Sequence, residues 1–297
     1  MISTLTFDNL LSFFISGLTT GGIFALSALG LVVVYRATGV LNFAQGAIGA
    51  VGALTASQEF IEQGRNEYLG YAVAILIGVV LSLGYGWLYA PRLSHRDPVV
   101  KAIGTLGFAL ALLGLCGWRW TARIMSLDLP TDTVKFHIGG VQVTLTRVLV
   151  VVLAVAVTIA VTALLQRTRT GLNMRALAND RELSSMVGVN VTRAETVAWA
   201  ISGVLASVTG LLFASVVQLE AASLTFLVIP AIAAALVGQL RSLWWTLLGA
   251  MVIGVIESEL TNFGSVKSYK VLTELLIGAG VVLFVNRSRT VSFQPET

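Results

Sequence analysis

The chain has 297 residues, of which 56% are hydrophobic and only 11% are charged. Its mean hydropathy of +0.86 excludes a soluble globular protein, because the apolar residues form runs of about twenty, the length that crosses a bilayer core of about 30 Å. The net charge of +4 is explained by basic residues that orient a membrane protein, and it does not indicate nucleic-acid binding. The single cysteine excludes an internal disulfide.

Apolar runs bounded by polar or helix-breaking residues predict an all-α, polytopic integral membrane protein that forms one domain over 1–297. The runs at 40–58 and 225–240 are short or interrupted, so each is either a full span or a half-helix that re-enters the membrane. About eight transmembrane helices are therefore expected. The predicted segments, in chain order, are 10–35, 40–58, 68–90, 99–118, 147–166, 195–217, 225–240, 243–262 and 271–286.

The sequence Asn42-Phe43-Ala44-Gln45-Gly46 lies where the first apolar run gives way to the second. Glycines recur around it, which permits close helix approach or an unwound turn at membrane depth. Such backbone is tolerated only inside protein or beside a water-filled cavity. Asn42, Phe43, Gln45 and Gly46 are thus candidates to line a translocation pathway or a subunit contact. The alternative is that Asn42 caps the second helix and the glycines only pack.

A polar segment at 167–194 interrupts the apolar chain and carries five of its nineteen basic residues. Asn179 followed by Glu182 resembles a capping box, and Gly188 fits a left-handed helix stop. The pattern predicts a short helix over 180–187.

One face of that helix carries apolar residues at helical spacing, Leu183, Met186 and Val187, with charged residues at its start. A small apolar surface bordered by charged residues suits insertion into a cleft on a soluble partner. The alternative is an ordinary loop whose short amphipathic helix lies on the membrane surface.

Basic residues predict the orientation of the chain. Twelve of the nineteen fall on the side of the 167–194 segment and seven on the other side. Because loops rich in Lys and Arg face the cytoplasm, this segment and the C-terminus are expected inside, and the N-terminus outside.

Charged side chains within the predicted spans are sparse, and Glu257 and Glu274 are the candidates for carboxylates near membrane depth. The alternative is that both lie near outer span ends, where they reach water or pair with Lys267 or Lys270. No cluster of His, Cys or Asp falls inside a span, which disfavours an enzyme.

Two motifs carry a resemblance to a known family. The string TGLNMRALANDRELSSMVGVN at 170–190 resembles the cytoplasmic coupling loop of permease subunits of branched-chain amino acid ABC importers. The stretch from Gly21 through the Asn42 to Gly46 motif is similar to that family's first span and its N-F-A-[HQ]-G signature. The chain departs from the family in two places. Ser184 or Ser185 stands where the loop usually has alanine. The segment from Val237 to Trp245 reads VGQLRSLWW, with Gln239 after Gly238, where the family tends to have Gly-Gly and a Gly or Pro near the start of the next span.

The resemblance implies a multi-pass permease of a prokaryotic cytoplasmic (inner) membrane, without an ATPase site of its own. Two cytoplasmic ATPase subunits, a second permease subunit that is by family habit a paralogue, and an extracytoplasmic binding protein are the implied partners, with membrane lipid around them. ATP is expected on those partner subunits, and no cofactor or metal in this chain. The implied coupling residues are Arg175, Ala178, Asp180, Arg181, Glu182, Leu183, Met186, Gly188 and Asn190.

The resemblance favours leucine, isoleucine and valine as substrates, whereas urea, short amides and other small carboxylates are alternatives on the same architecture. An ion-coupled secondary transporter is a further alternative, although the few peripheral carboxylates disfavour it. Whether the two permease copies are identical stays open at this point.

Overall fold

The computed structural model of the chain describes residues 7–93, 96–120, 127, 129–138, 141–179, 181–217, 220–261 and 280. This part is almost entirely helical, as the sequence predicts. The helices are α1 (Phe7–Thr38), α2 (Gln45–Ala56), α3 (Glu67–Leu88), α4 (Ala90–Leu93), α5 (Pro98–Trp120), α6 (Leu145–Arg167), α7 (Arg169–Asn179), α8 (Arg181–Met186), α9 (Val191–Val216), α10 (Ala221–Phe226), α11 (Val228–Val237) and α12 (Leu243–Thr261). A π-helical turn (Ser57–Ile61) extends α2, and a 3₁₀ turn (Pro130–Thr133) precedes an antiparallel hairpin of β1 (Lys135–Ile138) and β2 (Val141–Thr144).

Six helices in the described residues are long and apolar enough to cross a membrane: α1, α3, α5, α6, α9 and α12. They confirm six of the nine predicted segments. The two segments with an ambiguous pattern are not such helices, because α2 has 12 residues and the second is divided into α10 and α11. The predicted segment at 271–286 lies outside the described residues.

The first helix, α1, forms the centre of the bundle. It packs against α12, α9, α6, α11 and α7, and every residue from Gly21 to Val34 is buried. The peripheral helices instead leave one apolar face exposed, as Leu76 and Val80 do on α3 and Val152 and Ile159 do on α6. In a bilayer those faces contact lipid or another subunit, because water would not solvate them favourably.

Glycines let the central helices touch backbone to backbone. A Cβ on Gly21 of α1 would lie 2.7 Å from the Cα of Met251 on α12, and a Cβ on Gly203 of α9 would lie 2.8 Å from the Cα of Val79 on α3. These separations are shorter than real Cβ contacts allow. Small residues at such crossings replace the missing hydrophobic driving force with close van der Waals packing.

The two interrupted segments meet inside the bundle. The first residues of α2 pack against α10, and a Cβ on Gly46 would overlap the carbonyl oxygen of Leu224 and lie 2.9 Å from that of Thr225. The helix α2 does not begin at the end of the bundle, because the side chain of Gln45 contacts Ser202 in the middle of α9. The chain between Thr38 and Gln45 therefore returns into the bundle before α2 starts.

Candidate functional site

The polar segment after α6 begins with a helix that the sequence analysis missed. Thr168 is extended at φ −108° and ψ 154°, and its hydroxyl oxygen accepts the backbone N–H of Gly171 at 3.1 Å, as an N-cap residue does. The helix α7 then buries Met174 and Leu177 against the bundle. Thr168 before this apolar spacing is the signal that predicts α7.

The predicted helix over 180–187 is confirmed as the shorter α8, which ends in a Schellman motif. The N–H of Val189 donates to the carbonyl of Ser184, and the N–H of Gly188 donates to that of Ser185, both at 3.1 Å. Gly188 has a φ of +87°, so its predicted left-handed conformation is also confirmed. The predicted capping role of Asn179 is wrong, since this residue is the last of α7. The buried face of α7 keeps the chain helical up to that point.

The apolar face predicted for α8 is exposed to the surroundings. Met186 has 82% of its surface exposed, Val187 has 74% and Leu183 has 58%, whereas Ser184 behind them is buried. Large apolar side chains with this exposure are typical of a surface that another molecule covers. The helix α7 anchors this surface, since it packs against α6, α1 and α9.

The other predicted coupling residues divide into three groups. Asn190 caps α9, because its side-chain oxygen accepts the N–H of Arg193 at 2.9 Å. Arg175 and Ala178 line a cavity at the end of α1. Arg181 and Glu182 lie in the first turn of α8 but their side chains, like all of Asp180, lie outside the described residues.

That cavity has a volume of about 530 Å³ and is rich in arginine. Arg36 comes from the last turn of α1, Arg175 from α7, and Arg241 from the turn between α11 and α12. Because Arg175 and Arg241 line the same cavity as Arg36, the three like charges repel one another. The Nε of Arg175 is buried and has no hydrogen-bond partner among the residues that the structure describes. The sequence alone gives no indication that these three arginines come together, because they lie far apart along the chain.

The turn before α2 is held by Asn42. Its side-chain oxygen accepts the N–H of Ala44 at 3.1 Å, and its amide donates to the side chain of Gln45 at 3.2 Å. The alternative that Asn42 caps the second helix is wrong, because the N-cap position of α2 is Ala44. Asn42 instead closes the turn that precedes the helix. Asn42 and Gln45 are each 1% exposed, so both lie inside this chain.

The same turn is tied to two membrane helices. Gln45 donates to the carbonyl of Ser202 at 3.1 Å and accepts from its hydroxyl at 2.6 Å. The N–H of Phe43 donates to the hydroxyl of Thr105 on α5 at 3.2 Å, and that hydroxyl donates to the carbonyl of Leu41 at 2.8 Å. These bonds satisfy polar backbone that would otherwise be costly inside a membrane. A role of Asn42, Phe43, Gln45 and Gly46 in a pathway stays a prediction.

Glu257 is the buried carboxylate among the predicted candidates. It lies on α12 and is 4% exposed. Its proposed partners Lys267 and Lys270, and the second candidate Glu274, lie outside the described residues. Their pairing stays a prediction.

The architecture defines a polytopic helical membrane protein with two interrupted helices in contact at its centre. Residues 13–285 match the family described as the branched-chain amino acid transport system permease component, and the chain belongs to this family.

Two relatives with named transport roles agree with this assignment. The chain is 29% identical to the probable branched-chain amino acid transport permease protein LivH of Methanocaldococcus jannaschii, over 80% of this chain and 77% of that protein. It is 26% identical to the high-affinity branched-chain amino acid transport system permease protein BraD of Pseudomonas aeruginosa, over 82% of this chain and 84% of that protein. The solved structure of PsaBC from Streptococcus pneumoniae in complex with Fab matches 91% of this chain and 90% of that chain at 15% identity and a TM-score of 0.49.

Proposed function

We propose that the chain is the permease subunit of an ATP-binding cassette importer that moves branched-chain or related small amino acids across a prokaryotic cytoplasmic membrane. Its family and the names of its relatives support the transport role and the substrate class. The observation that carries the coupling part is the exposed apolar face of α8, at the end of a helix packed on the bundle.

Separate subunits supply the energy. The sequence contains no G-x-x-x-x-G-K-[ST] phosphate loop, the usual ATP site of such systems. Two cytoplasmic ATPase subunits therefore bind the α8 surfaces of two permease subunits, and a binding protein delivers substrate at the opposite face. The basic 167–194 segment is then cytoplasmic, in agreement with the distribution of Lys and Arg along the chain.

The packing of α7 makes a rigid link between α8 and the membrane helices. Gly171 lies so close to the backbone of Leu164 and Leu165 on α6 that an added Cβ would overlap both, and Met174 is completely buried. A force applied to α8 is therefore transmitted to α6, α1 and α9 as rigid-body displacement rather than absorbed in a flexible loop.

Transport by the complete complex in proteoliposomes tests the proposal. Uptake of radiolabelled leucine is expected only with ATP, the ATPase subunits and the binding protein. Uptake driven by an ion gradient alone would show a secondary transporter instead. A binding-protein titration against leucine, isoleucine, valine, urea and short amides then separates the substrate alternatives.

The α8 surface is tested in the same assay. Met186→Asp places a charge on the exposed apolar face and is expected to lower ATP-driven uptake roughly tenfold or more, about 1.4 kcal/mol of lost binding. Met186→Leu keeps the apolar surface and serves as the matched control, with uptake close to wild type. Full uptake by correctly inserted Met186→Asp protein contradicts the docking role.

A further inference from the structure

Three arginines from distant parts of the chain converge at the end of the bundle that carries α7. Arg36, Arg175 and Arg241 line the 530 Å³ cavity together with the chain segments around Gly39 and Gln239. The same three arginines also line a second recess of about 210 Å³, which reaches between α6 and α12. One cluster of guanidinium groups therefore lines both spaces.

The positive charge of this cluster is not balanced by the rest of the described chain. Within the described residues the one ion pair joins Arg119 and Glu59, and neither the cavity nor the recess has an acidic residue in its lining. The carbonyl end of α1 compensates part of the charge of Arg36, which lies in its last turn. Among the described residues, the buried Nε of Arg175 also has no hydrogen-bond acceptor. An anion that accepts from several guanidinium groups would satisfy both the charge and the donor.

The lining of the second recess indicates where such an anion comes from. Thr162 and Gln166 of α6 lie on one side and Trp244 of α12 on the other. Trp244 and Trp245 are exposed, as are Val152 and Ile159 along α6 and Leu248 and Val252 along α12. Tryptophans at a helix end mark the membrane interface, and the apolar faces next to them suit acyl chains.

We propose that Arg36, Arg175 and Arg241 bind the phosphate group of an anionic phospholipid, whose acyl chains lie along the exposed faces of α6 and α12. Guanidinium groups suit phosphate because their planar forks donate two parallel hydrogen bonds to its oxygens. Basic pockets between membrane helices are known sites for anionic headgroups. The bound lipid would join α1, α7 and the turn between α11 and α12. It would thereby stabilise the position of α7, the helix that directly precedes α8.

Native mass spectrometry of the full-length chain, purified with its co-purifying subunits and titrated with lipid, tests this site. Phosphatidylglycerol is expected to bind wild type roughly tenfold more tightly than phosphatidylcholine, because the cationic choline beside the phosphate of phosphatidylcholine is repelled by the three arginines. The double variant Arg36→Gln/Arg241→Gln is expected to lose this preference. The matched control is Arg193→Gln, which removes an exposed charge on α9, outside both linings.

Three outcomes would overturn the proposal. The first is equal binding of the two lipids to wild type, a measurement that does not depend on any variant folding. The second is displacement of phosphatidylglycerol by inorganic phosphate or ATP at millimolar concentration, which would identify a soluble anion as the ligand. The third is the same loss of preference in Arg193→Gln as in the double variant, which would indicate only a general effect of charge.

Discussion

Gln45 and Ser202 exchange two hydrogen bonds in the interior of the bundle. The amide of Gln45 donates to the Ser202 carbonyl at 3.1 Å, and its side-chain oxygen accepts from the Ser202 hydroxyl at 2.6 Å. This pair joins the start of α2 to the middle of α9, and the amide of Asn42 adds a third bond to the same oxygen of Gln45. These bonds fix the depth of the short helix α2 in the bundle, through a residue that lies 157 positions away in the sequence.

Replacing Gln45 is expected to destabilise the protein more than replacing Ser202. Gln45→Leu leaves the Asn42 amide and the Ser202 hydroxyl without their acceptor, at about 1 to 3 kcal/mol for each buried unsatisfied group. Ser202→Ala removes one hydroxyl while the backbone bond remains, and interhelical bonds of this kind average about 0.6 kcal/mol in membranes. Thermal unfolding in detergent measures both variants. Equal effects of the two would contradict the network.

Gly46 is expected to tolerate no side chain, because its missing Cβ is what allows α2 to contact α10. Gly46→Ala forces the new carbon into the carbonyl oxygens of Leu224 and Thr225, so the interrupted helices must separate. A marked loss of folded protein is expected in size-exclusion chromatography. Gly107→Ala is the matched control, since a Cβ there meets no described atom within 4 Å. In that exposed helical position alanine should stabilise by about 0.8 kcal/mol.

The turn between α11 and α12 carries two residues in the left-handed region, Gln239 at φ +51° and Leu240 at φ +55°. Such a conformation costs an ordinary residue roughly 1 to 2 kcal/mol relative to glycine. Gln239→Gly is therefore expected to match or exceed wild type in thermal stability, after about 0.4 to 1 kcal/mol is lost to the greater freedom of the unfolded chain. Gln239→Val should lower stability clearly, because a β-branched residue resists this conformation. The reverse order would show that the turn is not left-handed at Gln239.

Local features of this fold could be predicted from the sequence because their signals lie within a few residues. Runs of apolar residues predict the six long helices. Gly188 predicts the end of α8, because glycine readily adopts the left-handed conformation that ends a helix. The sequence also shows that Gln239 replaces the second glycine of a Gly-Gly pair, but it does not show that Gln239 adopts a left-handed conformation. Asn179 misled the sequence analysis because a capping residue and a helix-terminal residue look alike without knowledge of α7.

Contacts between distant segments could not be predicted in the same way. Nothing near Gly46 indicates Leu224, and nothing near Arg36 indicates Arg175 or Arg241, since these pairs are created by helix packing alone. The burial of Asn42 and Gln45 has the same origin. A polar motif at a helix junction suggests a pathway or a cap equally well, and only the position of α9 and α5 around it shows which hydrogen bonds it makes.

The left-handed stop at Gly188 provides a test of whether α8 must keep a fixed end to function. Gly188→Asn is expected to retain ATP-driven uptake, because asparagine tolerates a φ of +87° at little cost. Gly188→Val is expected to unwind the last turn of α8 and displace Met186 and Val187, which would lower uptake while ATP hydrolysis continues. Nothing in the described part of the chain lies within 4 Å of an added Cβ, so the difference between the variants reports backbone conformation rather than a clash. Uptake and hydrolysis measured in the same proteoliposomes check this, with membrane insertion confirmed by chromatography. Equal uptake by the two variants would show that the helix end does not set the coupling.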